Sequence, residues 1–250
     1  MYSKTNQFAS KNEDKQISNK IEIKLEPGEW LSIVGAKKSG KSKLLQLMAH
    51  MLLLPEDTIL IERKVIKNQS ASVVLQKLIS LPEPYTIPAE ITVRQLVDFA
   101  CISCKHCKQN VEKALDLTGM RQFSEELVDN LSHYERYKAF IALALVRKPK
   151  YLLLDGLTCN LDIRHQLELL EILKNLIIKK GITIVIALKD VNLALKYSSR
   201  IALLRQGVIV DLGTPESVIT HTSLMNVFGV EFAITKTPFG LQVYPVSLHN

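Results

Sequence analysis

The chain has 250 residues, 47% of them hydrophobic and 23% charged, with ten glycines and nine prolines. That composition supports a large buried core and excludes a disordered, collagen-like or low-complexity chain. The formal net charge of +7 comes from scattered lysines without interleaved aromatics, which argues for a solvated basic surface and against nucleic-acid binding.

The N-terminus, Met1-Tyr2-Ser3-Lys4-Thr5, lacks the apolar stretch of a secretory signal. No apolar run approaches the ~20 residues of a membrane-spanning helix; the candidates 51–54 and 182–188 are far shorter. The expectation is a cytoplasmic protein whose association with a membrane is peripheral. Trp30–Val34 is an apolar strand that feeds a glycine-bearing loop, Gly35-Ala36-Lys37-Lys38-Ser39-Gly40-Lys41-Ser42. A helix follows over 43–54, with Leu44, Leu45, Leu47, Met48 and Met51 on a wide apolar face. A short strand over 72–75 ends at Gln76.

From about residue 80 to 135 the character changes. Pro82, Pro84 and Pro88 punctuate the entry, and 93–100 and 111–117 carry helical periodicity with no strand between them. Within it, Cys101, Cys104 and Cys107 have the two-residue spacings of metal or cluster sites, with His106 among them. The fourth cysteine, Cys159, falls in another motif, so the expectation is reduced thiols without a metal. Strands return at 151–154, 182–188, 201–204 and 208–212, around a helix over 164–179 that has Asp162 near its start and Gly181 past its end. Strands alternating with helices predict an α/β fold with a parallel sheet and a helical insertion.

Gly35–Ser42 fits the pattern G-x-x-x-x-G-K-[ST] without mismatch, between a strand and a helix as that motif requires. Glycines let the backbone curl so that successive amides point at phosphates, and the helix start adds its positive dipole end. Lys41 would reach phosphate oxygens, and the Ser42 hydroxyl would hold Mg²⁺. Tyr151-Leu152-Leu153-Leu154-Asp155 is a buried strand ending in a carboxylate, the expected Mg²⁺-organising group of such an NTPase.

Over almost the whole chain these residues resemble the ATPase subunits of ATP-binding-cassette transporters. Gln76 stands where that family ends the strand before a helical insertion, and Leu131-Ser132-His133-Tyr134-Glu135 stands where its signature opens a helix. Asp155 continues into Gly156-Leu157-Thr158-Cys159-Asn160-Leu161-Asp162, the position of the loop that crosses the dimer interface, and 182–190 falls where a strand delivers the switch histidine. Residues 201–216 look like the family's last hairpin and following helix, and the tail 227–245 resembles that of importers of iron-siderophores, haem and vitamin B12.

The resemblance implies a P-loop NTPase of RecA-like core with an antiparallel β region, one nucleotide-binding domain over 1–250, and a helical lobe inserted at about 80–135. It implies bound ATP and Mg²⁺, the nucleotide held by 35–43 with Ser132 of a facing subunit, and the metal by Ser42, Gln76 and Asp155. Adenine stacking falls to Phe8, with Tyr2 as a second candidate. Expected partners are a second nucleotide-binding subunit, identical or not, and a transmembrane permease, at the inner face of the cell membrane.

The catalytic set implied is Lys41, Asp155 and Gln76, with departures. Gly156 replaces the glutamate that polarises water, Lys189 replaces the switch histidine, His133 and Tyr134 replace two glycines of the signature, and Lys43 replaces a common hydroxyl residue. Loss of general-base assistance typically costs roughly 10²–10⁴ in rate. The expectation is an importer subunit that binds Mg-ATP and hydrolyses it weakly. A hydrolysis-deficient regulatory subunit is the alternative; a soluble cassette protein is disfavoured, since neither a second cassette nor a coiled-coil insertion occurs.

Overall fold

The computed structural model describes residues 23–50, 60–61, 64–65, 78–81, 90–103 and 107–248. Strands β1 (Lys24–Leu25) and β2 (Trp30–Val34) precede helix α1 (Lys41–His50), and β3 (Leu60–Ile61), β4 (Lys64–Val65) and β5 (Leu78–Leu81) follow it. Helices α2 (Val93–Asp98), α3 (Cys107–Thr118) and α4 (His133–Val146) come next, without a strand among the described residues between them. Then β6 (Tyr151–Leu154), α5 (Ile163–Lys180), β7 (Thr183–Leu188), α6 (Val191–Tyr197), β8 (Arg200–Arg205) and β9 (Val208–Gly213) complete the core. Two short helices, α7 (Pro215–Val218) and α8 (His221–Phe228), lead into a hairpin of β10 (Val230–Thr237) and β11 (Gly240–Leu248).

The main sheet runs β5-β6-β7-β2-β8-β9. All its pairs are parallel except β8 with β9. Its central strands β6, β7 and β2 are buried at every position, and almost wholly apolar, because both faces are covered. Side chains of alternate residues point to opposite faces. Trp30, Val34, Leu152, Leu154, Ile184, Ile186 and Leu188 therefore join the core beneath α4, α5 and α6. Leu31, Ile33, Tyr151, Leu153 and Val185 join the core beneath α1, whose Leu44, Leu45 and Met48 face them. Full burial of such a side chain is worth roughly 1.5–3 kcal/mol. A smaller sheet of β1, β3 and β4 mixes one parallel and one antiparallel pair.

Local signals set the helix ends. Asp162 caps α5 by accepting from the His165 amide, and Gly181 ends it in the left-handed region at φ 66°. Ser132 and Glu135 form a reciprocal capping box at the start of α4, and Thr92 with Gln95 does the same for α2.

The structure departs from the sequence expectations in four places. The edge strand is 78–81, so it runs past residue 80, where the helical lobe was expected to begin; the expected strand at 72–75 lies outside the described residues, as do 51–54 of the expected first helix. Helix α6 was not anticipated; Asp190 nucleates it by accepting from the amides of Asn192 and Leu193. The tail forms the β10–β11 hairpin, clamped to α6 by Asn192, whose amide donates to the Val243 carbonyl and accepts from the Val243 amide. Finally, Cys101 and Cys107 are joined in a disulfide with Cα atoms 5.4 Å apart, where reduced thiols were expected. Cys104 and His106 lie outside the described residues.

Candidate functional site

The site is assembled at one edge of the sheet. β6, β7 and β2 are adjacent and parallel, so the residues that follow their C-terminal ends, Asp155, Lys189 and Gly35, emerge side by side. Ligands of open α/β sheets bind along that edge.

The 35–42 loop starts under steric pressure. A Cβ at Gly35 would sit 2.2 Å from the Leu204 carbonyl oxygen of β8, so only glycine lets the chain leave β2 here. Gly40 has φ +102° and packs against Gly207, whose amide donates to the Ser39 carbonyl at 2.7 Å. Gly207 lies in the β8–β9 turn, which thus buttresses the loop from outside it. Ser39 is buried, while the side chains of Lys37, Lys38, Ser42 and Lys43 are exposed and Ala36 and Gly40 are half-buried. The amides at the start of α1 have no intrahelical acceptor and give the loop the anion-binding character its motif predicts.

Lys41 folds back over this curl. Its ammonium donates to the carbonyls of Gly35 at 2.7 Å and Ala36 at 2.9 Å, and to the Ser39 hydroxyl at 3.4 Å. Burial holds its pKa below the ordinary lysine value, with the nearby Lys189 ammonium acting in the same direction; Asp155 and Cys159 oppose them. One cluster therefore holds Lys41, Asp155 and Lys189, which sequence reasoning named for this site, and Cys159, which it did not. No local pattern marks Cys159. It reaches the cluster because the loop after β6 turns sharply, Cys159 N donating to Gly156 O at 2.8 Å.

Asp155 is half-buried and its amide donates to the Leu81 carbonyl at 3.0 Å, which ties β6 to the edge strand beyond their last paired residues. Gly156 is buried with φ 63°, and its carbonyl accepts from the Tyr137 hydroxyl at 3.2 Å. The fit to a nucleotide rests on the glycine cradle, the free amides and Lys41. For a magnesium ion the donors are one hydroxyl and one carboxylate, Ser42 and Asp155, a set of hard oxygens that suits it. Gln76 and Phe8 fall outside the described residues, as does Tyr2.

The segment from Ser132 to Glu135 stands apart from this cluster. The Ser132 hydroxyl donates to the Glu135 carboxylate at 2.6 Å, and the Ser132 amide donates there at 2.9 Å. Those bonds hold the Glu135 carboxyl below its ordinary pKa. His133 is exposed at the first position of α4. Tyr134 instead packs down onto α5, with its ring 4.5 Å from that of His165 and the Lys138 ammonium 4.7 Å from its ring centre. Burial, and then the hydrogen bond to Glu168, push its hydroxyl up to about 12. The ring is accommodated within its own chain.

A family model described as ABC transporter matches residues 18–158. The petrobactin import ATP-binding protein FpuC of Bacillus anthracis is 34% identical over 235 residues, covering 91% of this chain and 86% of that protein. The ferric enterobactin transport ATP-binding protein FepC of Escherichia coli (strain K12) is 29% identical, covering 89% of this chain and 85% of that protein. Among solved structures, cbiO1 of Clostridium perfringens, part of the ABC transporter complex cbiONQ, superposes with a TM-score of 0.72 at 23% identity, covering 89% of this chain and 92% of that one. That likeness is one of fold.

Proposed function

This chain belongs to the ABC transporter family of ATPases, and from that premise we propose that it is the ATP-binding subunit of an importer for an iron-siderophore or related chelate. The observation that carries the reading is the curled 35–42 loop with Lys41 lodged on its own carbonyls. The cargo class rests on the names of relatives that import petrobactin and ferric enterobactin.

In this proposal the amides of 36–42 grip the triphosphate, and Lys41 exchanges the Gly35 and Ala36 carbonyls for phosphate oxygens. Lys37, Lys38 and Lys43 add positive charge around the loop, and Phe8 stacks on adenine. Ser42 and Asp155, with Gln76, would hold a magnesium ion, which would supply charge neutralisation at the phosphates. Gly156 offers no side chain to take a proton from water, and the Lys189 ammonium can attract the γ-phosphate but cannot accept a proton as imidazole does. Hydrolysis is therefore weak. The chain acts as one nucleotide-binding domain over 1–250 with its lobe at about 80–135, paired with an identical or related subunit whose Ser132 faces the nucleotide. It sits against a transmembrane permease on the cytoplasmic side; among the described residues no helix is long and apolar enough to cross a membrane.

Gly156 favours one second reading, a regulatory subunit that closes around ATP without useful turnover. Calorimetric titration of Mg-ATP into the wild type and Lys41→Ala tests the common core: heat of binding is expected for the first and not the second. Single-turnover hydrolysis with and without the co-purified membrane protein then separates the readings. Slow cleavage accelerated by the membrane protein supports the importer, and none under either condition supports the regulatory subunit.

A further inference from the structure

Far from the phosphate loop, three elements enclose a cleft of about 300 Å³. Helix α3 contributes Asn110, Lys113, Ala114 and Leu117, spaced so that they share one face. The end of α4 and its connection to β6 contribute Leu145, Lys148, Pro149 and Lys150, and the end of α5 and its connection to β7 contribute Lys180 and Ile182. Lys150 and Ile182 lead into the starts of β6 and β7, whereas Asp155 and Lys189 follow their ends. At about 3.3 Å per strand residue, the cleft and the phosphate loop lie about 20 Å apart along the sheet.

The cleft is basic at the rim and apolar at the base. Lys113, Lys148, Lys150 and Lys180 line it, and among the described residues no carboxylate does. All four are exposed, whereas Ala114, Leu145, Pro149 and Ile182 are buried. Lysines near helix C-termini ordinarily answer the helix dipole, and that accounts for Lys180 and Lys148. It does not account for Lys113, in the middle of α3. Lys148 also stands at φ 52°, a left-handed position after a helix that glycine or asparagine normally takes. A lysine occupies that position against its backbone preference.

Four cations converging from three elements on an apolar base match a ligand with both characters. We propose that this cleft binds a small amphipathic organic anion, with an apolar ring or chain on Ala114, Leu145 and Pro149 and a phosphate, sulfonate or carboxylate group on the lysines. The volume suits a ligand at the small end of the range for such sites. This proposal is independent of the nucleotide at the phosphate loop.

The test uses the full chain and the fluorescent probe 8-anilinonaphthalene-1-sulfonate, an aromatic body bearing one anionic group. Titration is made on the wild type saturated with Mg-ATP and on Lys41→Ala, so that the phosphate loop is filled in one case and disabled in the other. One saturable site of equal affinity is expected in both. Lys113→Glu with Lys148→Glu should weaken it at least about tenfold, as should Ala114→Trp, which fills the cleft. The uncharged analogue N-phenyl-1-naphthylamine should bind at least about tenfold more weakly. Unchanged Mg-ATP affinity and thermal transition in the lysine variant show that it is folded. The proposal is overturned if the charge reversals leave probe affinity as it was, if the uncharged dye binds equally well, or if Mg-ATP displaces the probe.

Discussion

The Tyr134 ring lies 4.5 Å from the His165 ring, tilted by 31°, so the third residue of the Ser132–Glu135 segment is spent on joining α4 to α5. The same hydroxyl is bonded to Glu168, which also accepts from Arg164 Nε at 2.9 Å. Replacing Tyr134 by glycine removes the ring contacts and places glycine in a helix, which costs about 2–3 kcal/mol in total. The expected drop in melting temperature, read by calorimetry, is roughly 4–10 °C. Tyr134→Phe removes only the hydrogen bond and should cost about 1 kcal/mol. Equal melting temperatures for the three proteins would show that the α4–α5 contact carries no stability.

Restoring the missing carboxylate is expected to fail. Gly156 is buried at φ 63°, where a residue with a Cβ is disfavoured by roughly 1–2 kcal/mol. Gly156→Glu should therefore lower the melting temperature without bringing steady-state turnover to the level of a family member that carries glutamate there. Rapid hydrolysis by the stable variant would show that the backbone at 156 relaxes freely.

Phosphate-loop geometry makes a sharper case. Gly35→Ala drives a methyl group to 2.2 Å from the Leu204 backbone oxygen, which cannot move without breaking β8 from its neighbours. Loss of Mg-ATP binding together with a fall in stability is expected, whereas Lys41→Ala should abolish binding and leave folding intact. Calorimetric titration and thermal melts on the two variants distinguish the outcomes.

Alkaline pH should weaken nucleotide binding through Lys41. Its folded pKa is depressed, chiefly by burial and next by Lys189. Between that value and the ordinary 10.5 the unfolded chain binds more protons, so this group's contribution to stability rises with pH while its positive charge is lost. Mg-ATP affinity should thus fall as pH rises through the folded pKa. Lys189→Met removes one depressing charge and should move that fall toward higher pH. Affinity titrations over a pH series check the sign; an unshifted profile would separate Lys189 from Lys41.

The Cys101–Cys107 bond closes a short loop, and its reduction should remove about 2 kcal/mol of stability by the loop-entropy relation. Peptide mapping without reductant should recover the two cysteines linked, and Cys101→Ala should melt at the temperature of the reduced wild type.

Much of the site could be read along the chain because its parts are contiguous. Trp30–Ser42 and Tyr151–Asp155 each hold a strand followed directly by the residues expected to carry chemistry, and both strands stand where the pattern puts them. The tail carries a weaker signal: Phe232 and Ile234 stand two residues apart and pack on the main core, as one face of a half-buried strand does. Cys159 and the Gly207 buttress offered none, because each depends on a turn that brings residues distant in sequence to the loop.

The amino-acid order by itself determined the phosphate-binding curl, the alternation that divides the sheet's side chains between two cores, and the absence of a carboxylate at 156. These are local properties, set by the reach of a few consecutive residues and by the period of a strand. Only the tertiary structure decided that Cys159 joins Lys41 and Lys189 in one electrostatic cluster, that Tyr134 turns onto His165, and that four lysines from three elements ring one cleft. Such relations are distances between elements, fixed when sheet and helices pack, and no spacing along the chain encodes them.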